Sequence, residues 1–99
     1  MLQARAVFPT SSGSRYLQQL CKHWSHKFTV EFTPETGRIA LGNDRVCRLE
    51  ATPEHLVMVA EAPDAEALEH LEGVIVRHVQ RFAFRENLDA VSWSAPQRN

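Results

Sequence analysis

The feature that most restricts the fold of this chain is an amphipathic helical pattern over residues 15–27. Its apolar and thiol side chains recur at i, i+1, i+4, i+5 and i+8, at Tyr16, Leu17, Leu20, Cys21 and Trp24. At 3.6 residues per turn these positions form one stripe roughly 140° wide, so the segment should form a helix that lies on an apolar surface. The serines before it can accept hydrogen bonds from the first helical turn, which makes the expected N-cap Ser11, Ser12 or Ser14.

Alternating apolar and polar residues after this helix predict a meander of four antiparallel strands. The predicted strands cover residues 28–33, 38–41, 45–51 and 55–61. In the first turn between them, Pro34 sets φ and Gly37 is expected to take the left-handed backbone conformation. Gly42-Asn43-Asp44 predicts the second hairpin turn.

A strand and a second helix flank the meander. Residues 4–8 predict a first strand that ends at Pro9. Asp64 is the expected N-cap of the second helix, whose core stripe is Leu68, Leu71, Ile75, Val79 and Phe82. Residues 88–93 predict a short extra strand, and residues 94–99 a frayed tail.

The order strand, helix, four strands, helix predicts the α+β class. Its simplest packing is a two-layer sandwich, with a curved antiparallel sheet and both helices on one face. This order resembles the TATA-binding-protein-like topology, but the exposed strand positions include Glu31, Glu50 and Glu61 instead of a basic DNA-reading face. The 99 residues, 43% of them hydrophobic, fit a single domain over residues 1–99.

Charge and hydropathy restrict the partners and the compartment. The chain carries 11 basic and 12 acidic residues, so it offers no general basic footprint for nucleic acid. It has neither an apolar run near the ~20 residues that span a bilayer nor an apolar leader of signal-peptide length, so we expect a cytoplasmic protein that binds no membrane. In that compartment Cys21 and Cys47 should be reduced, buried thiols, and their positions in the helix and on an inward strand face disfavour catalysis by either.

Three segments together resemble a known bacterial family: residues 15–27 (RYLQQLCKHWSHK), 47–51 (CRLEA) and 77–86 (RHVQRFAFRE). Over nearly its whole length the chain is similar to the small proteins known as domain of unknown function twenty-two-eighteen. The resemblance implies the fold predicted above. Because some members are associated with siderophore-interacting proteins, it also implies a role in iron or siderophore metabolism. It implies no catalytic residues.

Histidines supply a first candidate site, for a metal ion. His23 and His26 lie at i and i+3 on the first helix, and His78 lies at the edge of the apolar stripe of the second helix. Three imidazoles with an open coordination position would suit zinc or iron. The alternative is that His23 and His26 are solvated and that His78 packs between the helices.

Basic residues supply a second candidate site, for an anion. If the helices pack side by side, cations near their C-terminal ends would form a local patch that binds a carboxylate or phosphate. The alternative is that these cations complement the helix dipoles and remain solvated. The residues are Lys22, His26, Lys27, Arg77, Arg81 and Arg85.

The sequence therefore predicts a non-enzymatic accessory or binding module without a cofactor. Its expected partner is a small anionic ligand or a siderophore-related protein. One alternative is a small metal-binding protein or enzyme that uses the histidine cluster. The other is an interaction module that forms a homodimer through the open sheet face or an edge strand.

Overall fold

A computed structural model of the protein describes residues 1–88 and 91–98. In these residues the chain forms six strands and two helices. The elements are β1 (Leu2–Pro9), α1 (Gly13–Trp24), β2 (Thr29–Phe32), β3 (Thr36–Gly42), β4 (Arg45–Ala51), β5 (His55–Ala62), α2 (Ala65–Phe82) and β6 (Gln97–Arg98). Neighbouring strands are antiparallel, in the order β2-β3-β4-β5-β1-β6. The predicted α+β class and the four-strand meander are confirmed.

Both helices cover the same face of the sheet. α1 packs over β2, β3, β4 and β5, whereas α2 packs over β4, β5 and β1. The side chains beneath them alternate along the strands, as Leu56, Met58 and Ala60 do in β5, and these three are fully buried. Burial of this single apolar layer is the main favourable term that holds the helices to the sheet. Within the described ranges no helix is long and apolar enough to cross a membrane.

The start of α1 lies directly on β5. The predicted stripe of α1 is buried throughout, but the helix is shorter than predicted and ends at Trp24. Ser12 occupies the N-cap position without a side-chain capping bond, and the Thr10 hydroxyl instead accepts a hydrogen bond from the Ser12 N–H at 3.1 Å. A Cβ at Gly13 would lie 3.1 Å from the carbonyl oxygen of His55, so the absence of a side chain allows this close approach.

The two hairpin turns differ in how they are built. Asn43 and Asp44 have φ of 55° and 61°, as the predicted turn requires. The expectation for Gly37 is wrong, because Gly37 is buried inside β3 and is not among the residues with positive φ. A Cβ at Gly37 would lie only 2.8 Å from the Sγ atom of Cys21. The glycine is therefore explained by the close packing of α1 on β3.

The segment after α2 lies along β1. The prediction of a strand at residues 88–93 is wrong, because residues 88 and 91–93 are not in a strand. Residues 89–90 lie outside the described part. The Ser94 N–H donates to the carbonyl oxygen of Arg5 at 2.8 Å, and the Arg5 N–H donates to the Ser94 hydroxyl at 2.9 Å. β6 then pairs with Leu2 and Gln3. Ser94, Gln97 and Arg98 thus bond to the edge of β1, unlike the frayed tail predicted for residues 94–99, of which Asn99 lies outside the described part.

The second helix begins as predicted. The Asp64 carboxylate accepts a hydrogen bond from the Ala67 N–H at 2.8 Å, which satisfies one of the free donors of the first turn. Four of the five predicted core residues are fully or almost fully buried: Leu68, Leu71, Ile75 and Val79. Phe82, the fifth, is half-buried, because it lies at the surface between the helices.

Candidate functional site

α1 and α2 lie side by side and run in opposite directions. Near the start of α1 the Tyr16 hydroxyl donates a hydrogen bond to Glu86, just beyond the end of α2. Near the end of α1 the ring centre of His23 lies 5.9 Å from that of His78, about one turn inside α2. Arg85 therefore lies beside the start of α1, about one turn or more away from the cations at the end of that helix.

A cleft of about 250 Å³ opens between the start of α1 and the end of α2. We call it the interhelical cleft. Its described lining residues combine cationic, amide and aromatic side chains: Arg15, Tyr16, Gln19, Phe82, Phe84 and Arg85. Arg85 is one of the six residues that the sequence predicted for an anion site, whereas Arg15 was not predicted.

Arg15 and Arg85 give the interhelical cleft its positive charge. The guanidinium carbon of Arg15 lies 5.3 Å from the ring centre of Tyr16, and that of Arg85 lies 5.4 Å from the ring centre of Phe84. Both arginines are exposed, and neither forms an ion pair with a described carboxylate. Their donors are thus not engaged by a described acid and can bind an anion in the two-bond geometry that arginine favours.

A hydrogen-bond network fixes one wall of the cleft. The Glu86 carboxylate accepts hydrogen bonds from the hydroxyls of Tyr16 and Thr10, the latter at 3.0 Å. The Gln80 amide donates to the main-chain carbonyl oxygen of Glu86 at 3.1 Å, and the Tyr16 ring stacks on Phe8. Tyr16 is therefore a rigid part of the wall, and the nearby acid is engaged by hydroxyl groups.

The predicted histidines are only partly brought together. His23 and His78 approach each other as expected, and the His78 ring also lies 4.8 Å from that of Trp24. His78 Nδ1 lies 2.7 Å from the carbonyl oxygen of Val74, which can only accept, so Nδ1 donates and the neutral ring has its lone pair on Nε2. His26 is exposed and has no ring contact with this pair among the described residues. In residues 1–88 and 91–98, no three ligating side chains are grouped so as to hold a metal ion.

The remaining predicted cations have separate surroundings. Lys22 borders a different concavity, which it shares with Arg15 and the serines at the start of α1. The Lys27 ammonium lies 5.6 Å from the ring centre of the adjacent phenylalanine. The Arg77 side chain covers the glycine one turn before it in α2, and Arg81 is exposed. Of the six predicted anion-binding residues, Arg85 is therefore the one that lines the interhelical cleft.

Both cysteines belong to the core. Cys21 and Cys47 are buried free thiols. Burial raises the pKa of Cys21 to about 11. Burial, and to a smaller extent the charge of Cys21, raises the pKa of Cys47 well above its usual range. Neither thiol has the lowered pKa of a nucleophilic cysteine.

The fold and the cleft define a class of protein: a small α+β two-layer sandwich whose two antiparallel helices form a cationic cleft. The model of a family described as uncharacterized protein conserved in bacteria (DUF2218) matches residues 5–94. The chain belongs to this family, which confirms the resemblance found in the sequence. It is also similar to a protein with a solved NMR structure, PA4090 from Pseudomonas aeruginosa, with 40% identity and a TM-score of 0.81. That similarity covers 95% of this chain and 96% of the other. No curated protein matches the chain.

Proposed function

We propose that the protein is a non-enzymatic binding module and that its interhelical cleft binds a small anionic ligand. The observation that carries this proposal is the presence of two exposed guanidinium groups in one cleft, each without a described carboxylate partner. Arg15 comes from α1 and Arg85 from the segment after α2, so the tertiary fold brings them together. Two like charges near each other repel, and an anion bound between them would relieve that repulsion.

The other lining groups support the binding of an anion. Gln19 supplies an amide that can donate a hydrogen bond, and Phe82 and Phe84 supply apolar surface. Glu86 accepts hydrogen bonds from Tyr16 and Thr10 and forms no described ion pair with either arginine. A concave site with apolar walls and a few convergent donors is the usual arrangement for a small-molecule ligand.

A thermal melt against a panel of anions tests this proposal. The probes are inorganic phosphate, citrate, benzoate and a ferric siderophore, the last because of the family resemblance. A probe that binds the native state raises the stability by about 2.7 kcal/mol at a hundred times its dissociation constant. We expect Arg15→Gln or Arg85→Gln to weaken binding of that probe about tenfold to a hundredfold, because each loses a charge-assisted hydrogen bond.

Arg38→Gln is the matched control, because Arg38 is an exposed arginine on β3 that is not in the interhelical cleft. It makes the same change in net charge and should leave the affinity unchanged. If no anion in the panel binds, or if all three variants lose affinity equally, the cleft is not an anion site.

A second candidate is a zinc or iron site at the histidine pair, favoured by the 5.9 Å separation of the His23 and His78 rings. One zinc ion that binds a nitrogen of each imidazole at about 2.0–2.1 Å can lie between two rings whose centres are this far apart. In a calorimetric titration with Zn²⁺ or Fe²⁺ we expect His78→Gln to abolish binding. Loss of binding in His26→Gln as well would make His26 the third ligand, as the sequence predicted. Equal affinity of native protein and His78→Gln would exclude this site.

Three further expectations from the sequence stay predictions: a cytoplasmic location, a siderophore-related partner and a homodimer formed through the open sheet face or an edge strand.

A further inference from the structure

We infer that the ligand of the interhelical cleft is a single-ring aromatic acid, whose carboxylate binds Arg15 and Arg85 and whose ring packs on Phe84. This inference rests on the proposed anion-binding function and names the class of ligand.

The first support is the exposure of Phe84. Its side chain is 71% exposed, compared with 50% for Met1, 38% for Val7 and 37% for Phe32, the other exposed large apolar residues described. Phe84 lies in the turn that follows α2 and lines the cleft together with Phe82. A ligand bound in the concave, charged site can cover the exposed ring beside it and remove that ring from water. An exposed ring on a convex surface has no such site beside it, so it gives less support for a ligand.

The second support is the position of the arginines relative to the rings. Arg85 lies over the Phe84 ring and Arg15 over the Tyr16 ring. A guanidinium group that lies against a ring can still direct N–H donors outward to a carboxylate. The cleft therefore offers cationic donors directly beside aromatic surface, which matches a molecule that carries its carboxylate on a planar ring. Such a ring also gains the offset or edge-to-face contacts that a saturated ring of similar size lacks.

The third support is the size of the cleft. Its volume of about 250 Å³ lies below the range of roughly 300–1,000 Å³ typical of sites for drug-sized ligands. One ring with its carboxylate is compatible with that volume, whereas a nucleotide or a chain of several rings would extend beyond it. The volume is therefore consistent with a small monocyclic acid as the ligand.

A titration with three matched probes tests the inference. Binding is monitored by the NMR signals of the main-chain amides and of the arginine Nε–H groups. The probes are benzoate, cyclohexanecarboxylate, which lacks the aromatic ring, and benzamide, which lacks the charge. We expect benzoate to bind about fivefold more tightly than cyclohexanecarboxylate and about tenfold more tightly than benzamide. The resonances that shift should include those of Arg15, Phe84 and Arg85.

Single substitutions distinguish the contribution of the Phe84 ring from that of the Arg85 charge. Phe84→Leu keeps an apolar side chain at an exposed position and should reduce the preference for benzoate over cyclohexanecarboxylate to less than about twofold. Arg85→Gln should weaken both acids about tenfold. Phe32→Leu, at an exposed phenylalanine on β2, is the matched control and should behave as the native protein does.

The outcomes distinguish this inference from the proposed function. Equal binding of the two acids, both weakened by Arg85→Gln, overturns the aromatic class and leaves the anion site in place. Binding of benzamide as tightly as benzoate overturns the role of the carboxylate. If neither acid binds while phosphate or citrate does, the ligand class is wrong but the anion site stands. If no anion binds at all, both proposals fall.

Discussion

Gly37→Ala is expected to destabilise the protein by about 2 kcal/mol, the middle of the range for an overpacked core site. The new Cβ would lie 2.8 Å from the Sγ atom of Cys21 and 3.5 Å from a methyl group of Leu17. Both neighbours are completely buried on α1. β3 cannot retreat easily, because it is paired with β2 on one side and β4 on the other. Urea unfolding followed by circular dichroism measures the loss.

A double variant tests whether the contact between the new Cβ and Cys21 causes the loss of stability. Cys21→Ala removes the sulfur, so the double variant should lose about 1–2 kcal/mol less than the sum of the two single variants. Gly73→Ala is the matched control, because its Cβ would meet only the flexible end of the Arg77 side chain, and alanine is favoured over glycine within a helix. That variant should unfold at a higher urea concentration than the native protein. Additive losses at Gly37 and Cys21 would show that the contact is not responsible.

The sequence was sufficient for the parts of the fold that depend on local periodicity. The stripe of α1, the alternation of β3 to β5 and the Asp64 cap each arise within a few residues, so the pattern alone predicts them. Gly37 could not be interpreted correctly in the same way. A glycine next to a proline-containing turn suggests a backbone conformation, but its actual reason is the approach of Cys21 from an element far away in the chain. Close contacts between layers leave no periodic signal.

The residues of the candidate site were only partly predictable, again because contacts between distant elements leave no local pattern in the sequence. Arg85 is among the cations that the sequence predicts near the C-terminal end of the second helix, although it lies just beyond the end of α2. Arg15 lies on the polar side of α1, and its place in the cleft depends on the antiparallel arrangement of the helices, which no local pattern specifies. His26 lies apart from the pair of His23 and His78 because α1 ends at Trp24, so that His26 is in the turn beyond the helix. The tail over residues 94–98 is likewise explained by the edge of β1, since a two-residue strand has no alternation to recognise.

The two cysteines are expected to react with a disulfide reagent such as DTNB at least about 100-fold more slowly in the native protein than in urea at neutral pH. The reactive species is the thiolate, and a pKa of about 11 for Cys21, raised from 9.0, lowers its thiolate fraction about 100-fold. Burial further restricts the approach of the reagent, and the pKa of Cys47 is raised more than that of Cys21. Stopped-flow absorbance of the released thionitrobenzoate gives both rates.

The pH profile of that reaction separates a protected thiol from a reactive one. The rate for unfolded protein should level off above about pH 10, one unit above the ordinary thiol pKa of 9.0, whereas the native thiolate fraction of Cys21 continues to rise beyond pH 11. A Ser11→Cys variant, which places a third thiol at an exposed position, should release one equivalent at a rate close to that in urea. If Cys21 or Cys47 in the native protein reacted as quickly as the introduced thiol of that variant, one of them would be accessible and ionised. A cysteine nucleophile would then become a serious alternative to the binding role proposed for the interhelical cleft.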